Sequence, residues 1–137
     1  MPDIVLASDE EWVRDEIRSA VSGVPGATLR EVTTGAAVLA SAMEALPDLV
    51  VVDMQIGSMG GMAVCLDLRL EESGGRVGHV PVLMLLDRRA DVFLARRAGA
   101  EGWIVKPLDP MRLRKAIRAL LAGDTYHDAS YKPEPVG

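Results

Sequence analysis

One segment limits the possible folds more than any other. Leu49-Val50-Val51-Val52-Asp53 is a run of four apolar residues, three of them β-branched, closed by a carboxylate. A strand with one wet face alternates apolar and polar residues. An unbroken apolar run is buried on both faces, as in the middle of a parallel sheet. Parallel neighbours need long crossovers, usually helices. Pro81–Leu86 is a second such run, and Ile4–Ala7 and Gly102–Val105 are shorter ones. Ala27–Thr33 carries Arg30 and Glu31, which predicts an edge strand.

Helical patterns fill the gaps. Val13, Ile17, Ala20 and Val21 share one face of a helix from Asp9 to about Val21. Gly35–Leu46 ends before Pro47, and another helix runs from about Gly61 to Glu72. Asp87 is placed to cap a helix reaching Ala98, with Gly99 to end it. Asp109-Pro110 opens the last helix as cap and first residue, with Leu113, Ile117, Leu120 and Leu121 inward. Five β–α units in succession predict an α/β fold, a five-stranded parallel sheet with helices on both faces.

A length of 137 residues suits one domain, expected over 1–122, followed by a polar, proline-bearing tail over 123–137 and no output domain. No apolar run approaches the ~20 residues of a membrane span, so no membrane insertion is expected. The start has no secretory leader pattern, which predicts a cytoplasmic protein. The single cysteine, Cys65, excludes an internal disulfide and reads as a buried small hydrophobe. The net charge of −5 conceals an asymmetry: residues 1–73 hold 13 acids and 4 bases, residues 74–121 hold 4 acids and 10 bases. The chain as a whole is too acidic to suggest direct DNA binding. The basic second half is a candidate partner surface.

In a doubly wound sheet the site lies beyond the carboxyl ends of the strands. The residues there are Ser8 and Asp9, Asp53, Leu86 and Asp87, and Lys106. Two carboxylates suit a hard cation such as Mg²⁺. A lysine ammonium pairs with a phosphoryl oxygen. An aspartate nucleophile with both of these makes a phosphoryl-transfer site.

Asp53-Met54-Gln55-Ile56-Gly57-Ser58-Met59-Gly60-Gly61 resembles the phosphoacceptor segment of the receiver domains of bacterial two-component systems. Gly102-Trp103-Ile104-Val105-Lys106-Pro107 is similar to that family's last strand, and Pro81–Met84 and Ala98-Gly99-Ala100 fall at matching places. The resemblance covers residues 3–121. It implies a flavodoxin-like sheet of strand order 2-1-3-4-5, with Asp53 as phosphoacceptor and Lys106 in contact with the phosphoryl group. It further implies weakly held Mg²⁺ on Asp9, Asp53 and the carbonyl of Gln55, and a cis Lys106-Pro107 bond. Positions 86 and 103 would be the switch positions, occupied by Leu86 and Trp103.

The departures are specific. The family has two acids after its first strand, whereas Ser8 takes the first place. Ser8-Asp9-Glu10-Glu11 fits a helix capping box, with Ser8 as cap and Glu11 reaching back. Leu86 replaces a hydroxyl that would hold the phosphoryl group, a loss of roughly 1.5–3 kcal/mol for a charge-assisted hydrogen bond. Asp87 adds a negative charge at the entrance. Trp12 reads as a partly buried packing residue, and His79 and His127 as solvated loop residues. Arg96, Arg97, Arg112 and Lys115 mark a candidate face for a protein target or a second copy of the chain.

Two functions compete. One is a single-domain receiver in phosphorelay signalling, phosphorylated at Asp53 by a histidine kinase or other phosphodonor, with output through protein contacts. The other is a pseudo-receiver that binds proteins without phosphorylation. No enzyme beyond its own phosphorylation and dephosphorylation is expected. A flavin or dinucleotide binder would want a Gly- or Ser/Thr-rich loop after the first strand, where this chain has the acidic Ser8-Asp9-Glu10-Glu11, which would repel phosphate.

Overall fold

The computed structural model describes residues 1–56 and 60–128. Gly57, Ser58 and Met59, which belong to the stretch that resembles a phosphoacceptor segment, and the tail from Ala129, including Tyr131 and Lys132–Pro135, lie outside the described residues.

Among the described residues six strands and five α-helices alternate: β1 Asp3–Ala7, α1 Glu11–Ser22, β2 Thr28–Val32, α2 Gly35–Glu44, β3 Leu49–Asp53, α3 Gly61–Ser73, β4 Val82–Leu86, α4 Val92–Arg97, β5 Gly102–Val105, α5 Pro110–Leu121 and β6 Tyr126–His127. The order in the sheet is β2-β1-β3-β4-β5-β6, and every pairing is parallel. β2 is an edge strand, as Arg30 and Glu31 predict.

The pleat divides the core in two. Val5, Ala7, Val50, Val52, Met84, Trp103 and Val105 face one side, with Val38, Val64, Leu68 and Ala95 of α2, α3 and α4. Ile4, Leu6, Leu49, Val51, Leu83, Leu85 and Ile104 face the other, with Val13, Ile17, Leu113 and Ile117 of α1 and α5. Alternate residues of each central strand therefore serve opposite layers, and both must be apolar. Cys65 is fully buried among them, and burial pushes its thiol up to about 11, which leaves it inert.

Two helix starts differ in how they are capped. Asp109 accepts from the N–H groups of Met111 and Arg112 at 2.8 and 3.3 Å, as expected of a cap. Asp87, expected to cap the next-to-last helix, does not. A 3₁₀ turn at Arg89–Asp91 precedes α4, and the buried Asp91 accepts from the Arg88 N–H at 3.1 Å. At the far end, Gly99 adopts φ +81° after the α4 C-cap, the left-handed conformation that suits glycine.

The expected five strands are six. After α5 the chain returns alongside β5, pairing Tyr126 with Gly102 and His127 with Trp103. Gly102 permits the approach, since a Cβ there would lie 3.0 Å from the Tyr126 carbonyl oxygen. His127 is exposed but lies in a strand rather than a loop, and its ring stacks on Trp103 with centroids 4.2 Å apart and planes 4° apart. Asp128 then closes the strand, accepting from the Val105 N–H at 3.2 Å and from Arg112 Nη1 at 2.7 Å. These partners lie 23 and 16 residues away, beyond the reach of local pattern. Asp128→Ala is expected to cost about 2 kcal/mol, since loss of a charged acceptor leaves a buried N–H behind. Urea unfolding measures it, and an unchanged midpoint would refute this role for Asp128.

Candidate functional site

β1, β3, β4 and β5 end at the same edge of the sheet, and their register decides who meets whom. Ala7 pairs with Val52, so Ser8 and Asp53 are the next lateral neighbours, with Asp9 one residue further out. Leu86 pairs with Val105, so Asp87 and Lys106 follow side by side.

Asp53 ends β3 with no exposed surface. Its Oδ1 accepts from Lys106 Nζ at 2.8 Å and from the Gln55 N–H at 3.3 Å. Its Oδ2 accepts from Ser8 Oγ at 3.1 Å. Burial raises the Asp53 carboxyl above the ordinary aspartate range, although Lys106, the Gln55 N–H and Ser8 all pull it back. Burial also pulls the Lys106 ammonium down, but two carboxylates outweigh it and hold the ammonium above its usual range. The second carboxylate is Asp87, whose Oδ1 accepts from Lys106 Nζ at 2.9 Å. Lys106 is thus held between two acids, followed by a cis bond to Pro107.

Ser8 does not form the capping box. α1 starts at Glu11, with Glu10 at the cap position and no side-chain cap bond. The Ser8 hydroxyl instead accepts from the Glu10 N–H at 3.2 Å while donating to Asp53. A tertiary carboxylate has won over a local cap because both partners are buried and the acceptor is charged. Trp12 is also more than packing: the residue is 45% exposed and its ring lies 5.6 Å from Lys106 Nζ, a cation–π distance. Glu10 accepts from the Trp12 indole N–H. A charged lysine at the end of β5 near an indole at the start of α1 is a relation between distant segments, without a signal in either one.

The other singled-out residues lie apart from the carboxylate. Leu86 is fully buried in the core layer that also holds Trp103. Trp103 is 3% exposed, and the Arg96 guanidinium sits 5.4 Å from its ring centre. Arg96, Arg97 and Lys115 are exposed, whereas Arg112 is committed to Asp128 and to the Pro107 carbonyl. Val92, Phe93, Arg96, Trp103 and His127 line a groove of about 520 Å³. His79 is paired rather than merely solvated, with Glu72 at 2.9 Å and Glu101 at 3.1 Å.

The oxygen donors present fit Mg²⁺ in kind. This ion binds through one or two carboxylates and keeps several waters. Asp53 and the exposed Asp9 would supply the carboxylates, with Gln55 on the following turn. Ser8 makes the set one charge poorer, and among the described residues no three His, Cys, Asp or Glu side chains converge to hold a metal.

The raised Asp53 carboxyl has a cost in stability. A carboxyl whose folded-state value is raised favours the native state at low pH and loses that contribution as pH climbs through the folded-state value. Ionised Asp53 therefore destabilises the fold near neutrality. Asp53→Asn in metal-free buffer is expected to be more stable than wild type at pH 7, where the wild-type carboxyl must ionise in a buried place while Lys106 keeps Asp87 as its partner. The gain should shrink as pH falls towards 3.8, the ordinary aspartate value. Urea midpoints from pH 7 to pH 4 provide the check, and a destabilised Asp53→Asn would contradict the expected sign.

Comparison with known proteins places this geometry. The family model described as the response regulator receiver domain matches residues 4–118. The DNA-binding response regulator MtrA of Mycobacterium tuberculosis is 30% identical over 119 residues, which is 85% of this chain and 50% of MtrA. The nitrate/nitrite response regulator NarL of Escherichia coli K12 is 28% identical, over 88% of this chain and 55% of NarL. The chain spans about half the length of these relatives. Among solved structures, a LuxR-family two-component response regulator from Aurantimonas superposes with a TM-score of 0.82 at 26% identity, covering 94% of this chain and 91% of that one. The chemotaxis response regulator CheY4 of Vibrio cholerae shares the fold, with a TM-score of 0.77 at 23% identity over 88% of this chain and 98% of CheY4. The chain belongs to the response regulator receiver domain family of two-component signalling.

Proposed function

We propose that Asp53 accepts a phosphoryl group from the phosphohistidine of a histidine kinase, or from a small phosphodonor, and that the signal leaves through protein contacts. The observation that carries this reading is the Lys106–Asp53 pair at 2.8 Å, buried at the carboxyl edge of the sheet. The family match and this pair together favour it over a phosphorylation-independent binding module.

The chemistry follows from the donors already in place. An Asp53 carboxylate oxygen attacks phosphorus. The donor's P–N bond breaks, its electron pair leaves with the imidazole nitrogen, and that nitrogen takes up a proton. The product is an acyl phosphate. Because the carboxylate has no exposed surface, a donor reaches it only as Lys106 and Ser8 turn towards the incoming phosphoryl oxygens. Lys106 then meets the new charge as a point cation, and Ser8 Oγ donates a further hydrogen bond. Leu86 can supply none. Mg²⁺ on Asp9, Asp53 and the Gln55 carbonyl would neutralise phosphoryl charge during transfer. Water attacking the acyl phosphate at phosphorus returns the Asp53 carboxylate and releases inorganic phosphate. Catalysis is confined to these two reactions.

Output is assigned to the face made by α4, β5 and α5, towards a protein target or a second copy of the chain. Exposed Phe93, Arg96, Arg97 and Lys115 and the groove beside Trp103 support this assignment. The overall acidity of the chain argues against direct DNA contact. No described helix is long and apolar enough to cross a membrane, and a cytoplasmic site of action suits a kinase partner.

The test is acetyl phosphate with Mg²⁺. Wild type should gain about 80 Da, one phosphoryl group, and Asp53→Asn should gain nothing. A wild type that never gains mass sinks the reading, and labelling that persists in Asp53→Asn moves the acceptor elsewhere.

A further inference from the structure

The usual route from phosphoryl group to surface is closed in this chain. Position 86 is a buried leucine without a donor. Trp103 is already inside, 3% exposed, with His127 stacked on it and Arg96 close by. Neither residue has an obvious way to register whether Asp53 is modified. One nearby contact does. Lys106 Nζ is shared between Asp53 at 2.8 Å and Asp87 at 2.9 Å, so its charge is divided between two acids.

We propose that Asp87 is the switch residue of this receiver: it shares Lys106 with Asp53 before phosphorylation, and is released when Lys106 turns wholly to the phosphoryl group. The inference rests on the phosphoryl-transfer reading above. Its physical basis is charge. An ionised carboxylate carries one negative charge and a phosphorylated side chain about 1.5 to 2. A single ammonium shared between two acids of equal charge is drawn to the one that gains charge. The phosphoryl group then repels Asp87 directly.

Asp87 has room to leave, since its side chain is 34% exposed and faces the rim, whereas that of Asp53 is 0% exposed. Its displacement would not stay local. The next residue, Arg88, donates its N–H to Asp91 Oδ2 at 3.1 Å and its guanidinium to Asp91 Oδ1 at 3.1 Å. Asp91 is 3% exposed and ends the 3₁₀ turn that leads into α4. A push on Asp87 is therefore carried through Arg88 and Asp91 to the first turn of α4, which bears Val92 and Phe93 of the groove. Asp87 acts through Lys106, so it is a positioning residue and does not itself react.

The experiment uses the full chain with beryllofluoride and Mg²⁺ as the phosphoryl mimic, and acetyl phosphate for labelling. Hydrogen exchange of peptides covering residues 88–97 is expected to speed up in wild type when the mimic binds. In Asp87→Ala the same peptides should already exchange fast, with little further response. Asp87→Glu should restore the wild-type response. Asp87→Asn should label faster than wild type at low salt, by about three- to tenfold, with the advantage shrinking as salt screens the lost charge. A purely structural role would not produce that salt dependence. If wild type neither labels nor responds to the mimic, the phosphoryl-transfer reading falls and this inference with it. If Asp53 labels normally but Asp87→Ala and Asp87→Asn respond and label like wild type at every salt concentration, the switch role of Asp87 alone is overturned.

Discussion

Lys106→Met should destabilise the protein by roughly 3 kcal/mol at neutral pH, because removing one partner of a buried ion pair strands the other. The stranded group is Asp53, with no exposed surface and, among the described residues, Ser8 Oγ and the Gln55 N–H left as donors. Burial already raises its carboxyl in the intact pair, with Lys106 opposing. Loss of Lys106 raises it further. Because a raised carboxyl favours the native state only while protonated, the deficit is full at neutral pH and fades as pH falls, since protonated Asp53 needs no cation. Asp87 suffers less, because its side chain is partly in water. The double variant Asp53→Asn/Lys106→Met should recover most of the loss, giving a coupling energy well above the few tenths seen for independent sites. Urea unfolding of the four proteins at pH 7 closes the cycle. A Lys106→Met single variant as stable as wild type would show that the pair holds nothing together. Under the phosphoryl-transfer reading proposed above, the same variant should also label slowly or not at all.

Gly61→Ala is the second large effect, and it arises from backbone rather than charge. A Cβ on Gly61 would lie 2.6 Å from the Asp53 carbonyl oxygen, 3.0 Å from Met54 Cα and 3.1 Å from the Asp53 carbonyl carbon. All three are main-chain atoms, so no side chain can swing aside. The Gly61 N–H also donates to the Met54 carbonyl at 3.0 Å, which ties the start of α3 to the turn after β3. Relief requires moving either α3 or the end of β3. The expected cost is about 3 kcal/mol, the upper end for overpacking. Labelling of the folded fraction should drop as well, because the residue pushed is Asp53. A Gly61→Ala protein as stable as wild type and labelled at the same rate would show that the close approach of α3 to Asp53 constrains neither.

Both effects concern the immediate surroundings of Asp53, yet the sequence reveals them unequally. Lys106 is legible because it ends a strand pattern in a fold whose sites lie at strand ends. The tightness at Gly61 is not, because a Gly-Gly pair before a helix says only that a turn is present.

The apolar runs at 49–52 and 82–86 dictate a sheet buried on both faces, and the helical repeats between them dictate parallel pairing. Together they place Asp53 and Lys106 at one edge. These are consequences of local periodicity, which each segment carries within itself. Ser8 turned to Asp53 instead of capping α1, Asp87 sharing Lys106 instead of capping α4, and a sixth strand stacking His127 on Trp103 follow only from the assembled molecule. In each case a side chain chose between a neighbour in the chain, or solvent, and a partner brought close by the sheet. The low-dielectric interior strengthened the distant contact and made an unpaired buried group costly, so tertiary packing settled the choice.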